Sequence, residues 1–242
     1  MPFDLAECSV EVSRGSDQHK SCKPARRPGR RPPLQQSAHA ANEASGKRAS
    51  AKGAATRRHI IAIATALFTK QGYNTTSIET VLEKSGASRG ALYHHFNSKE
   101  ALYAAVLEAV EARIAETTAE ASRHLRDPRE ALRAGCNAFI GLARDTTVRQ
   151  IVLLDAPAVV GWQKWRGIDA RFGFGQLKAG LTNAAKAGRI RPELVDTMSH
   201  ILLAALLEVA LLIAQAKDPR DAMRRGRAAI DELLGALLSG HK

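Results

Sequence analysis

Residues Ile78 to Phe96 have the types and spacing to enter a nucleic-acid groove. A short stretch with Ile78, Val81 and Leu82 on one face is followed by Gly86-Ala87-Ser88 and then by a second stretch, Arg89 to about Phe96. A helix-turn-helix needs this order: a glycine to bend the chain, small residues where two helices touch, and a second helix free to lie in the major groove. The chemistry on offer is hydrogen bonding and ion pairing with a polyanion, not bond breaking. No Gly-x-Ser-x-Gly elbow, phosphate-binding loop or His-Glu-x-x-His pair occurs, and Gly173-Phe174-Gly175 has Lys178 where a third glycine would stand. His94 and His95 are adjacent on a helix and face different ways, with no Cys or carboxylate pair to complete a zinc site. The reading is therefore of a protein that is not an enzyme and holds no cofactor and no metal.

Charge supports a polyanionic partner. The formal net charge is +12. Residues 1–100 carry 16 Lys or Arg against 8 Asp or Glu, and residues 101–242 carry 20 against 16, so +8 of the excess lies toward the N-terminus. Each phosphate neutralised by such a stretch releases counterions, which favours DNA, RNA or an anionic surface without choosing among them. Within it, Lys23 to Gln36 (KPARRPGRRPPLQQ) projects four arginines from a Pro- and Gly-held path. That segment fits a narrow A·T-rich minor groove, or is a solvated basic linker or upstream sequence from a misplaced start.

Of the three cysteines, Cys8, Cys22 and Cys136, none has metal or disulfide spacing, which suits a reducing compartment. Cys136 reads as a small core residue; a redox role would need a lowered thiolate pKa and access to solvent. The N-terminus lacks the order of a signal peptide. The apolar run Ile201 to Ala216 contains Glu208 and is shorter than the roughly 20 residues that cross a bilayer, so a cytoplasmic protein without a membrane partner is expected.

The elements that must position the groove-facing stretch read as helices throughout. Residues 1–55 have no apolar period and are expected to be a disordered basic extension. From Thr56, Ile60, Ile63, Ala64, Leu67 and Phe68 recur at helical steps until Gly72. Thr75, Thr76 and Ser77 offer N-cap oxygens for the second helix, Ser88 for the third and Ser98 for the fourth, which runs from Lys99 to about Arg126 with Leu102, Val106, Val110 and Ile114 on one face. Asp127-Pro128 opens the next; a short segment from Val148 to Leu154 is interrupted at Pro157; then come about Trp162 to Ala187, Pro192 to Ala216, and Pro219 to Leu238. The fold class is all-α, about nine helices by this periodicity.

The run GYNTTSIETVLEKSGASRGALYHHFNSKEALYAAV (Gly72 to Val106) closely resembles the N-terminal domain of the TetR family of regulators. Gly72-Tyr73, Thr76, Ile78, Gly86, Ser88, Leu92-Tyr93, Phe96, Lys99-Glu100 and Leu102 stand where that family's pattern has such residues, at unbroken spacing. Val81-Leu82 and Lys84-Ser85 depart mildly from the usual residues and remain helix-compatible. The resemblance implies a helix-turn-helix DNA-binding domain at 56–102 and an effector-binding and dimerisation domain at 103–242. It implies phosphate contacts from Thr76, Tyr93, His94 and Lys99, base-edge contacts from Ser88 and Arg89, close approach at Gly90, and backbone or minor-groove contact from Arg57, with Arg58 beside it. Arg89 would be bidentate to guanine, or touch only phosphate. Leu92, Phe96, Ile78, Val81 and Phe68 are assigned to the core.

In the second domain, Ile201 to Ala216 is apolar around nearly its whole circumference, so something must cover both sides. With the following amphipathic helix it implies a homodimer through residues 192–216 and 219–238, spacing two recognition helices about 34 Å apart for a palindromic operator in double-stranded DNA. Phe139, Trp162, Trp165, Phe172 and Phe174 would cage a small, largely apolar effector or fill the core, with Asp155, Arg166 and Glu208 as polar handles or paired charges. Transcriptional repression relieved by that effector is the function implied. An architectural, ligand-independent DNA-binding protein using the basic arm is the alternative.

Overall fold

The computed structural model describes the backbone of residues 34–239, with side chains from Ser50 on. Among the described residues there is no strand. The chain divides between Lys47 and Arg48 into two units, and the second holds every element after α1.

Helix α1 is Leu34–Thr75, broken near its end at Gly72 (φ 77°, ψ 173°), the residue at which the sequence reading stops it. It takes in residues 34–55, which the sequence reading leaves without structure. The reason is local: this stretch is rich in Ala, the strongest helix former, which needs no apolar stripe to favour the helical backbone. Amphipathicity reports helices that pack, and residues 50–55 are nearly all exposed. The segment before Leu34, including most of the Arg-rich stretch, lies outside the described residues, as do Cys8 and Cys22.

Three serines start the next three helices, each accepting a backbone N–H in its first turn. Ser77 caps α2 (Ile78–Ser85), Ser88 caps α3 (Arg89–His95) and Ser98 caps α4 (Lys99–Ser122). Such a cap stabilises a helix by about 1 kcal/mol, a large fraction for helices as short as α2 and α3. Gly86 ends α2 in the left-handed region (φ 65°) and returns its N–H to the Leu82 carbonyl at 2.9 Å. That is the helix-turn-helix turn, and its core is Ile60, Phe68, Ile78, Val81, Leu92 and Phe96, all buried.

Asp127 caps α5 (Pro128–Leu142), with Pro128 in the first turn as expected. Val148–Asp155 winds as a π-helix and continues into α6 (Ala156–Val159). Pro157 lies at the second residue of α6, just past the π-helical stretch, and the winding runs through it without interruption. The helix expected from Trp162 to Ala187 is α7 (Trp162–Asp169) and α8 (Gly175–Lys186) joined by a second π-helical stretch, Ala170–Phe174. A 3-10 turn, Pro192–Leu194, leads into α9 (Val195–Gln215), and Asp218 caps α10 (Pro219–Leu237).

By length and composition, Pro192–Gln215 could cross a bilayer. Its apolar side is used within the protein instead: Leu202, Leu203, Leu206, Leu207, Ala210 and Ile213 are buried, and α9 packs against α5, α8 and α10.

Candidate nucleic-acid interface and ligand cavity

Helix α3 lays one face on the core through Leu92 and leaves the other to solvent. Ser88, Arg89, Gly90, Tyr93 and His94 are all exposed on it. Ser88 Oγ is occupied as the cap, accepting from the Ala91 N–H at 3.1 Å. A Cβ at Gly90 would meet nothing within 4 Å, so its lack of a side chain leaves open space above the helix. Arg89 is not free: its Nη2 lies 3.1 Å from Glu79 Oε1, and both side chains are mostly exposed. The Glu79 carboxyl is held below its usual range by its own backbone N–H and then by Arg89. The sequence reading missed this partner, ten residues before Arg89 across the turn. Arg57 is exposed on α1 with its guanidinium 5.3 Å from the centre of the Phe96 ring, which ties it to the end of α3. Lys99 sits half-buried with Nζ 4.1 Å above the Tyr73 ring, and this partial desolvation lowers its pKa.

Thr76 does not stand where a phosphate donor must. It is only 1% exposed, its hydroxyl donates to the Gly72 carbonyl at 2.8 Å, and it accepts from Gln71 Nε2 at 3.1 Å. The neighbouring Ser77 takes the capping position, with Oγ 3.0 Å from the Thr80 N–H. Three consecutive hydroxyls in the sequence could not show which one the turn after Gly72 would direct inward.

The larger domain holds a cavity of about 400 Å³ among α4, α5, α8, α9 and the Ala170–Phe174 stretch. Phe139, Phe172, Leu132 and Leu206 give it apolar walls, and Glu111, Asp169, Thr118, Gln176 and Asn183 are its polar lining. Two of its walls come close together at Gly180, where a Cβ would lie 2.5 Å from Leu132 Cδ2. Cys136 also lines it, and burial pushes that thiol up to about 12, which keeps it protonated at neutral pH and leaves it as packing.

Glu111 is buried on α4, and among the described residues its Oε1 has no hydrogen-bond partner. Burial, and secondarily the charge of Asp169, push its carboxyl up to about 8. Asp169 is pushed up to about 6 by burial, against the pull of Arg166, whose Nη1 is 3.4 Å from Asp169 Oδ2. The sequence carried one sign of this: Glu111 follows Leu107 by four positions and precedes Ile114 by three, inside the apolar stripe of α4.

Residues 60–106 match the family described as bacterial regulatory proteins, tetR family, and residues 129–237 match the tetracyclin repressor-like C-terminal domain. The chain belongs to the TetR family. Its regulator from Pectobacterium atrosepticum, a crystal structure, superposes with a TM-score of 0.70 at 29% identity, over 79% of this chain and 98% of that one. The transcriptional regulator AcrR of Shigella flexneri is 38% identical over 65 residues, 27% of this chain and 30% of its own length. The transcriptional repressor AcnR of Corynebacterium efficiens is 38% identical over 65 residues, 27% of this chain and 35% of its length. The chain thus aligns with about a third of the length of these curated relatives. They are regulators, not enzymes.

In this TetR-family chain the five aromatic residues expected to form a cage do not converge. Phe139 and Phe172 line the cavity. Trp165 is wholly buried but elsewhere, and Trp162 is 60% exposed, edge-on to Trp165 at 4.9 Å. Phe174 stacks on His200 at 4.3 Å outside the cavity. A three-residue step turns a helix by about 300°, about 60° short of a full circle, and Trp162 is the first residue of α7, so it falls outside while Trp165 goes in. None of the three proposed polar handles lines the cavity. Asp155 accepts the Tyr73 N–H at 2.9 Å, Arg166 pairs with Asp169, and Glu208 is exposed on α9.

Proposed function

We propose that this protein is a dimeric, cytoplasmic transcriptional repressor that reads a palindromic operator with α3 and lets go when a small, largely apolar ligand fills the cavity against α4. The observation that carries the reading is the exposed face of α3: an N-terminal Ser88-Arg89-Gly90 followed one turn on by Tyr93 and His94, presented by a glycine turn and unobstructed at Gly90. In this reading Arg89, Ser88 and Gly90 meet base edges, and Tyr93, His94, Lys99 and Arg57 hold phosphates. Ser77 replaces Thr76 at the mouth of α2.

Dimerisation has its own support. Ile201 and Leu212 on α9 are 48% and 59% exposed, Leu233 on α10 is also exposed, and Ala204, Ala229 and Ala236 lie exposed on the same two helices. Large apolar side chains in one zone fit a second copy of this chain, because a two-fold axis lets a self-complementary patch cover itself. The cavity has the size of a small-molecule site, and α4 lines it with Glu111, Ile114 and Thr118 while its first turn carries Lys99. Ligand binding can therefore bias the placement of the DNA-reading unit by acting on one helix.

Footprinting on oligonucleotides selected by the full chain, with light scattering of wild type and Leu212→Glu, tests this. Expected are a short palindromic footprint, a dimer for the wild type, and a monomer with weakened operator binding for the variant. Indiscriminate coating of DNA would favour an architectural role, and a monomeric wild type would overturn the reading.

A further inference from the structure

The cavity has a feature that an apolar ligand alone leaves unanswered. Glu111 is 3% exposed, lines the wall, and has Oε1 without a partner. Asp169, equally buried, lines the same cavity and has a partner in Arg166. With both acids ionised, the three groups carry one uncompensated negative charge, and it belongs to Glu111. A buried carboxylate without a cation or donors is costly, and the cost is relieved by proton uptake or by a positive group brought in from outside. Among the described residues no Lys, and no Arg other than Arg123, lines this cavity, and Arg123 is engaged with Glu120.

Resting on the reading of this cavity as the effector site, we propose that the effector is a lipophilic cation: an apolar body against Phe139, Phe172, Leu132 and Leu206, with one protonated amine seated on Glu111. An ammonium there supplies the missing donor to Oε1 and the missing charge at once. Gln176 is less suited to define the ligand, since its Oε1 already accepts from Thr118 at 2.9 Å and its Nε2 donates to the Ala115 carbonyl at 2.7 Å. Glu111 holds its proton at neutral pH in the empty site, with a carboxyl pushed up to about 8. Seating an ammonium should expel that proton, so binding and deprotonation of Glu111 are one event.

Titration calorimetry on the full-length dimer with 4-phenylbutylamine, 4-phenylbutan-1-ol and 4-phenylbutyrate tests the charge class with one apolar body held constant. The amine should bind at least about tenfold more tightly than the alcohol or the acid. At pH 7, heats measured in buffers of different ionisation enthalpy should show release of about one proton on amine binding, and little on alcohol binding. Glu111→Gln should abolish both the preference for the amine and the proton release. If that variant does not fold, the proton count on the wild type decides. Alcohol or carboxylate binding as tight as the amine would overturn the cationic class and keep the cavity as a ligand site. Binding of none of the three would overturn the cavity reading and the class with it. An amine preference that persists in Glu111→Gln would remove Glu111 from the site.

Discussion

The backbone N–H of Tyr73 donates to Asp155 Oδ2 at 2.9 Å, joining residues 82 apart in the chain. Gly72 permits the turn that presents this N–H: it adopts φ 77°, a backbone region that favours glycine. Gln150 in turn donates to the other oxygen, Oδ1, at 3.0 Å. Beside this junction, Tyr103 donates to the Ile151 carbonyl at 2.5 Å and Thr69 to Thr147 at 3.2 Å. The DNA-reading unit is therefore held to the π-helical segment Val148–Asp155 as well as to α4.

Replacing Asp155 by Ala strands the Tyr73 N–H in a part-buried place and should lower stability by about 1 to 3 kcal/mol. Urea unfolding checks it, and the midpoint should fall without a change in slope. The variant should also lose part of the ligand's effect on operator affinity, because one of the ties that hold the DNA-reading unit to the Val148–Asp155 segment is gone. An unchanged midpoint and an unchanged ligand response would make the bond incidental.

Arg89→Ala should relax base preference at one position in each half-site, at a cost of about 1 to 3 kcal/mol against the preferred sequence. To reach a base, Arg89 must leave Glu79, and an exposed ion pair of this kind is held only weakly because solvent screens it. Glu79→Gln should then strengthen binding to all sequences, since it removes a negative charge beside the phosphates and frees the guanidinium. Operator mutagenesis with both variants separates the effects. Equal loss on every sequence for Arg89→Ala would make it a phosphate contact.

Lys99→Ala should weaken binding to all sequences and reduce the slope of log affinity against log salt by about one unit. Its ammonium rests on the Tyr73 ring, so Tyr73→Leu should give a smaller loss in the same direction by freeing a side chain that is otherwise already in place. Filter binding across a salt series reads both. A Lys99→Ala slope equal to that of the wild type would take the residue out of the interface.

Much of this architecture is legible in the sequence because its signals are local. Ser77, Ser88, Ser98, Asp127 and Asp218 mark helix starts by side-chain chemistry that acts within three residues, and Gly86 marks the turn by its backbone alone. The exposed face of α3 follows from those boundaries. What stays hidden depends on contacts far along the chain: Asp155 reaching Tyr73, or Trp162 falling outside while Trp165 goes in. Helical spacing shows that two residues share a face and cannot show what lies opposite that face. Glu111 is intermediate. A carboxylate inside an apolar stripe was visible, but only the cavity explains why it is tolerated.

Stability should fall as pH rises through the neutral range, and Glu111 should be the cause. A free Glu titrates near 4.3, whereas in the folded protein Glu111 is pushed up to about 8, chiefly by burial. Between those values the folded state keeps a proton that the unfolded chain has given up, so each step up in pH favours unfolding; above the folded value this loss is complete. For one group the slope approaches about 1.4 kcal/mol per pH unit, and the whole loss is of the order of a few kcal/mol. Asp169, pushed up to about 6, adds a loss of the same sign over the lower part of the range, limited by Arg166. Glu111→Gln cannot ionise, so its melting temperature should match that of the wild type near pH 4.5 and exceed it increasingly up to about pH 8. Thermal melts followed by circular dichroism across that range make the comparison, and parallel curves for the two proteins would mean that Glu111 ionises in the folded state at no extra cost.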